Sequence, residues 1–177
     1  TACGDDDEDP PPSGGAARVR VAHLSPDAPA VDFCLAAAGS GKFTTPVLAG
    51  AGAAAGLSYS KVTAYLDVPA GRYDVRLVAP GSSNCDQALG GLPDITGLPE
   101  LTEDGTFTLA ATGKLTGGAA PFALRAYVDD PSAPAGSARL RFVHASPGTP
   151  AVDVGVGGGV AFTPVFRGVA FGDTASG

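Results

Sequence analysis

The chain is predicted to be all-β, a sandwich of antiparallel sheets, and three observations carry the prediction. Gly (26) and Pro (16) are abundant and Met and Trp are absent from the 177 residues, a profile of short strands joined by tight turns and not of helical bundles. Stretches in which apolar and polar residues alternate recur along the chain, the period of half-buried strands. One phrase also occurs twice. Arg18 to Leu35, RVRVAHLSPDAPAVDFCL, and Arg139 to Val156, RLRFVHASPGTPAVDVGV, agree at nine of eighteen positions at a constant offset of 121.

In order, RVRVAH sets Val19, Val21 and His23 on one face and Arg18, Arg20 and Ala22 on the other. VDFCL sets Val31, Phe33 and Leu35 against Asp32 and Cys34. LAGAGAAAGL (Leu48 to Leu57) is too short and too Gly-rich to span a membrane and reads as a loop or loose edge. TAYLDV and RYDVRLV flank Pro69-Ala70-Gly71, where Pro presets φ and Gly accepts a positive φ, so a hairpin is expected. TFTLAAT and PFALRAYV are further strands, DDPSAPAGSA is turn-forming throughout, and strands restart with RLRFVH, VDVGV and FTPVF.

These signals divide the chain into a tether over 1–16, a first module over 17–130 with about seven strands, a linker over 131–137 and a second module over 138–177. Seven short strands at this spacing suggest an immunoglobulin-like sandwich in the loose sense. The second module has only 40 residues, too few for such a core, so the sequence is expected to be a fragment or to be completed by another element.

Charge excludes some partners. The net charge is −7, but Asp5, Asp6, Asp7, Glu8 and Asp9 account for five of the acids; the other 13 face 11 bases, so the remainder stands at −2. A near-neutral body offers no electrostatic case for nucleic acid. The acidic run lacks the spaced loop and bidentate Glu of a calcium site and reads as a solvated tether. No metal or other cofactor is expected.

The N-terminal small-small-Cys order of Thr1, Ala2 and Cys3 resembles the end of a bacterial lipoprotein signal peptide. That resemblance implies a lipid on Cys3, anchorage to a membrane, and an outer-membrane, cell-surface or secreted location. Cys34 and Cys85 remain, and outside the cytoplasm two cysteines imply a disulfide that pins the loop SSNCDQALGG to the second strand.

The repeated residues could tempt a catalytic reading. His23 and His144 are the only histidines and end the first strand of each copy, on its inward face. Zinc would need three or four converging ligands, which these two do not supply. Each is expected instead to be half-buried and bonded to a backbone carbonyl in the Ser-Pro-x-x-Pro arch. Ser25 and Ser146, before Pro26 and Pro147, are expected to bond local backbone. His23, Ser25 and Asp32 lie close in sequence, but no Gly-x-Ser-x-Gly elbow surrounds Ser25, so a hydrolytic triad is not expected. Arg20 with Asp32, and Arg141 with Asp153, share strand parity and are expected to form cross-strand ion pairs on the outer surface.

The phrases RVRVAHLSPDAPAVDF, FTTPVL, YLDVPAGRYDVRLV and RLRFVHASPGTPAVDV together resemble the bacterial family catalogued as domain of unknown function 4397. The resemblance implies secreted or surface-anchored proteins, often with tandem β-sandwich modules, and no established activity. The second copy departs by having Gly148 where the first has Asp27. The expected function is therefore non-enzymatic: a surface lipoprotein serving adhesion or envelope architecture. Two alternatives are self-association, with the incomplete second module taking strands from a neighbour, and a glycan- or peptide-binding module using Tyr59, Tyr65, Tyr73 or Tyr127.

Overall fold

The computed structural model describes residues 14–158 and 161–176. Among these residues ten strands and one short α-helix follow in order: β1 (Ala16–His23), β2 (Asp32–Ala37), α1 (Val47–Gly50), β3 (Leu66–Pro69), β4 (Tyr73–Val78), β5 (Thr106–Thr112), β6 (Ala123–Val128), β7 (Arg141–Val143), β8 (Val152–Gly158), β9 (Ala161–Val169) and β10 (Thr174–Ser176). The fold is mostly β and is built from several small sheets. A four-stranded sheet runs β3-β1-β5-β6, and β2 with β4, β8 with β9, and β7 with β10 form pairs. Every strand pairing is antiparallel except β1 with β5, which is parallel.

The apolar residues of the alternating stretches meet as the pattern requires. Val19 and Val21 from β1 and Phe107 and Leu109 from β5 join Phe33 of β2 and Val75 and Leu77 of β4 in one buried cluster. Both sheets thus feed a single core, in which each buried aliphatic or aromatic side chain contributes roughly 1.5–3 kcal/mol. A second cluster lies across β1. There Ala22, Ala110 and Tyr127 are buried with Val143 of β7 packed against them.

Three expectations are corrected here. Pro69-Ala70-Gly71 does not close a hairpin: β3 pairs with β1 and β4 with β2, so the turn carries the chain from one sheet to the other. Gly71 instead exchanges two backbone hydrogen bonds with Leu101, both 2.9 Å. Turn chemistry dictates that the chain reverses, not which strand receives its ladder bonds. Nor are the sheets antiparallel throughout, since β1 runs parallel to β5; the region 17–130 forms six strands among the described residues, close to the seven or so expected. The Leu48–Leu57 stretch is not all loop: it enters α1, burying Leu48, because a remote carboxylate receives the first amides of the helix.

The later part of the chain is seated on the outer face of the four-stranded sheet. The Tyr127 hydroxyl donates to Gly172 O at 3.2 Å, and the Arg125 guanidinium lies 5.7 Å from the centre of the Phe171 ring. Gly172 has φ +85, and a Cβ there would come within 2.6 Å of Arg125, so this approach requires glycine.

Candidate functional site

His23 is fully buried at the end of β1, and its Nε2–H donates to Pro29 O at 2.9 Å. A carbonyl only accepts, so the proton sits on Nε2. The ring meets Tyr59 edge-on at 6.3 Å, and the backbone around it is pinned by His23 N–H to Lys61 O (2.9 Å) and Ser60 N–H to His23 O (2.8 Å). His23 Nδ1 is buried without a partner. His144 repeats the arrangement: it donates to Pro150 O at 3.0 Å and meets Phe171 edge-on at 6.3 Å. Its Nδ1 accepts the Ser146 N–H at 3.3 Å, which fixes the same tautomer. The predicted arch carbonyl is thus the acceptor in both copies, with each imidazole fully enclosed and not half-buried.

The serines diverge from expectation. Ser25 is buried, and its hydroxyl donates to Gly113 O at 2.8 Å, closing the arch on a segment 88 residues away and not on local backbone. Ser146 stays local, sharing a 2.7 Å hydrogen bond with the Thr149 hydroxyl. Asp27 accepts from Leu115 N–H, Thr116 N–H and the Thr116 hydroxyl at 2.9, 3.0 and 2.7 Å. The Thr116 hydroxyl, then these amides, hold its carboxyl down at about 2.

Neither predicted Arg–Asp pair forms. Asp32 is fully buried and accepts three backbone amides, from Phe33 (2.7 Å), Leu48 (2.8 Å) and Ala49 (2.8 Å). Strand parity placed it on an outer face, but α1 covers that face and converts a surface position into a helix anchor. Asp153 is exposed and accepts from Gly168 N–H at 2.7 Å, with Arg167 3.8 Å away.

The freed arginines converge elsewhere. Arg20 Nε donates to the Thr108 hydroxyl at 2.8 Å and stands 3.7 Å from Asp129 Oδ2. Arg141 donates to Asp129 and to Val128 O, and Arg139 to Asp130 at 2.6 Å. The Tyr65 hydroxyl and the Thr108 hydroxyl both donate to Asp129, at 2.9 and 2.6 Å. Arg18 and Arg20 each lie 5.0 Å from the centre of the Tyr65 ring. Burial, followed by the Asp129 hydrogen bond and charge, raises the Tyr65 phenol, while the Ser132 hydroxyl and amide lower Asp130. A cleft of about 410 Å³ opens among these groups, with Pro131 and Leu140 as its apolar walls. The sequence reading missed Asp129, Tyr65 and Arg139 as members of one site. The available signal was an acidic pair placed between two Arg-x-Arg strands.

The disulfide is present: Cys34 on β2 joins Cys85 with a Cα–Cα distance of 6.1 Å. It pins the predicted loop, which Arg76 also holds by donating to Cys85 O at 2.9 Å and to both oxygens of Asp94 at 2.7 and 2.8 Å. Phe43 covers the Arg76 guanidinium at 4.1 Å. The tyrosines do not gather. Tyr127 is buried, Tyr73 donates to Pro69 O at 2.8 Å, and Tyr65 belongs to the arginine cleft. Tyr59 is exposed and lines a groove of about 420 Å³ between the two arches, with Pro26, Lys114, Ser146 and Pro147. Cys3 and the acidic run lie outside the described residues. Among the described residues no helix is long and apolar enough to cross a membrane.

The sequence model of one family, Domain of unknown function (DUF4397), matches residues 41–155, from the loop after β2 through the first half of β8. No curated protein and no solved structure matches the chain.

Proposed function

The chain belongs to the DUF4397 family, and on that premise we propose that it is a non-enzymatic, extracytoplasmic display module serving adhesion or envelope architecture. One observation carries the reading. The motif side chains that could do chemistry spend their hydrogen bonds on backbone: His23 on Pro29, Ser25 on Gly113, and Asp32 on three amides. These are the uses of a framework, and catalysis would need the same groups turned toward a substrate. The Cys34–Cys85 bond indicates an oxidising compartment. The single core shared by the β3-β1-β5-β6 and β2-β4 sheets supports an immunoglobulin-like sandwich. The recurring His–Pro–aromatic geometry supports tandem copies of one module.

In this reading a lipid on Cys3 tethers the module to a membrane and nucleic acid is not a partner. The test is the intact mass of the protein extracted from native membranes, combined with protease treatment of whole cells. The reading expects a chain that begins at Cys3, carries acyl groups and is shaved from the surface. An unmodified, protease-resistant cytosolic protein would overturn it.

A second reading, strand sharing between copies, is favoured by the β8–β9 pair, which exposes Val156, Phe162 and Val165. Sedimentation across a hundredfold concentration range tests it: assembly that Val156→Lys abolishes is expected, and a monomer throughout rejects it.

A further inference from the structure

We propose that the arginine cleft binds the carboxylate of an acidic polysaccharide. Arg20, Arg139 and Arg141, from the Arg-x-Arg of both copies of the repeated phrase, line the cleft, and Arg18 lies beside it over the Tyr65 ring, so four of the chain's 11 basic residues gather on a protein of net charge −7. Against Arg18, Arg20, Arg139 and Arg141 stand Asp129 and Asp130. Asp67, opposite Arg18 in the β1–β3 register, makes no ion pair with it among the described residues. Asp129 is saturated by two hydroxyls and two arginines, and Asp130 by Ser132 and Arg139, so both carboxylates orient the guanidinium groups instead of filling the cleft.

The cations are held but not used up. Among the described residues Arg20 is bonded through Nε alone and Arg139 through one terminal nitrogen, while Arg18 rests over the Tyr65 ring without an ion pair. A guanidinium fixed at one nitrogen keeps further donors in a planar fork, the shape that receives a carboxylate through two parallel hydrogen bonds. At about 410 Å³ the cleft is within the range of small-molecule sites, roughly 300–1,000 Å³. Leu140, 62% exposed, and Pro131 offer apolar surface to the C–H face of a sugar ring. The oxidising compartment indicated by the disulfide is where such polymers are met, and a uronate supplies both the carboxylate and the apolar ring face.

The proposal is independent of lipidation and of strand sharing, so its failure leaves the display reading standing. The experiment is calorimetric titration of the full chain with alginate hexamers, with dextran and dextran sulfate as neutral and sulfated controls. Saturable binding of alginate that weakens with salt is expected, with dextran not binding and dextran sulfate weaker. Arg18→Gln, beside the cleft and exposed, should weaken binding only a few-fold with unchanged melting temperature, and Arg139→Gln by about tenfold. Arg20→Gln should do the same or more, checked by circular dichroism for retained structure. No binding of alginate, or affinity unmoved by Arg139→Gln and Arg20→Gln in folded protein, overturns the proposal. Equal binding of dextran, or tighter binding of dextran sulfate, overturns its carboxylate specificity.

Discussion

At the first arch the imidazole of His23 donates to Pro29 at 2.9 Å beside Tyr59; at the second, His144 donates to Pro150 at 3.0 Å beside Phe171. Beyond the arches the copies part. In the first, Asp32 is buried under α1 and Cys34 is bonded to Cys85. In the second, Asp153 is exposed and Gly155 stands where Cys34 did, with a Cβ there only 2.2 Å from Thr163 O. FTTPVL leads into α1, whereas FTPVF continues as the strand β9 against β8. The same phrase thus specifies its arch locally, while the fate of the following strand depends on what packs against it. A buried carboxylate and a disulfide belong with the strand that packs into the core under a covering helix; glycine belongs with the strand whose partner is the next strand in a hairpin.

The sharpest break of this comparison is reduction of the Cys34–Cys85 bond. For a separation of 51 residues the chain-entropy account gives about 4 kcal/mol. Denaturant unfolding with and without reductant should show a loss of this order, and an unchanged midpoint would mean the staple is idle. Next is the carboxylate pair. Asp32→Ala strands three buried amides and should cost about 3 kcal/mol, whereas Asp153→Ala at its exposed site should cost less than about 1 kcal/mol. Equal losses in chemical denaturation would contradict the divergence. Gly155→Ala should destabilise the β8–β9 pair by about 1–3 kcal/mol through overpacking, read as faster amide exchange confined to residues 152–169. The smallest effect concerns the arches themselves. Asp27 is held at about 2, below its ordinary value of 3.8, so its folded-state contribution is present above that value and is lost as pH falls through about 2. Protection of the Leu115 and Thr116 amides, relative to the intrinsic exchange rate at each pH, should therefore fall across that window. The second arch, with Gly148 in place of Asp27, should show no such acid step.

How much of this was legible follows from what alternation can encode. It assigns residues to faces, so Val19, Val21, His23 and Phe33 were placed inward correctly. The arch was readable because its donor and acceptor lie six residues apart. Alternation does not say what covers the opposite face, and so Asp32 and Arg20 were paired across a surface that α1 occupies in one case and Asp129 captures in the other. Nor does it rank the edges open to a strand, so a turn that predicts a hairpin leaves β3 on β1 and β4 on β2. Ser25 departs from the local expectation for a related reason: its acceptor, Gly113, is brought in by tertiary structure.

The parallel pairing of β1 with β5 has a kinetic corollary. Arg20 and Thr108, bonded side chain to side chain, are 88 residues apart, so the central ladder of the largest sheet cannot form until a long loop has closed. Folding dominated by such non-local contacts belongs to the slow regime, milliseconds to seconds. The emerging N-terminal strand must wait for its neighbour to be synthesised. The disulfide adds a further non-local closure, joining Cys34 of β2 to Cys85 across 51 residues.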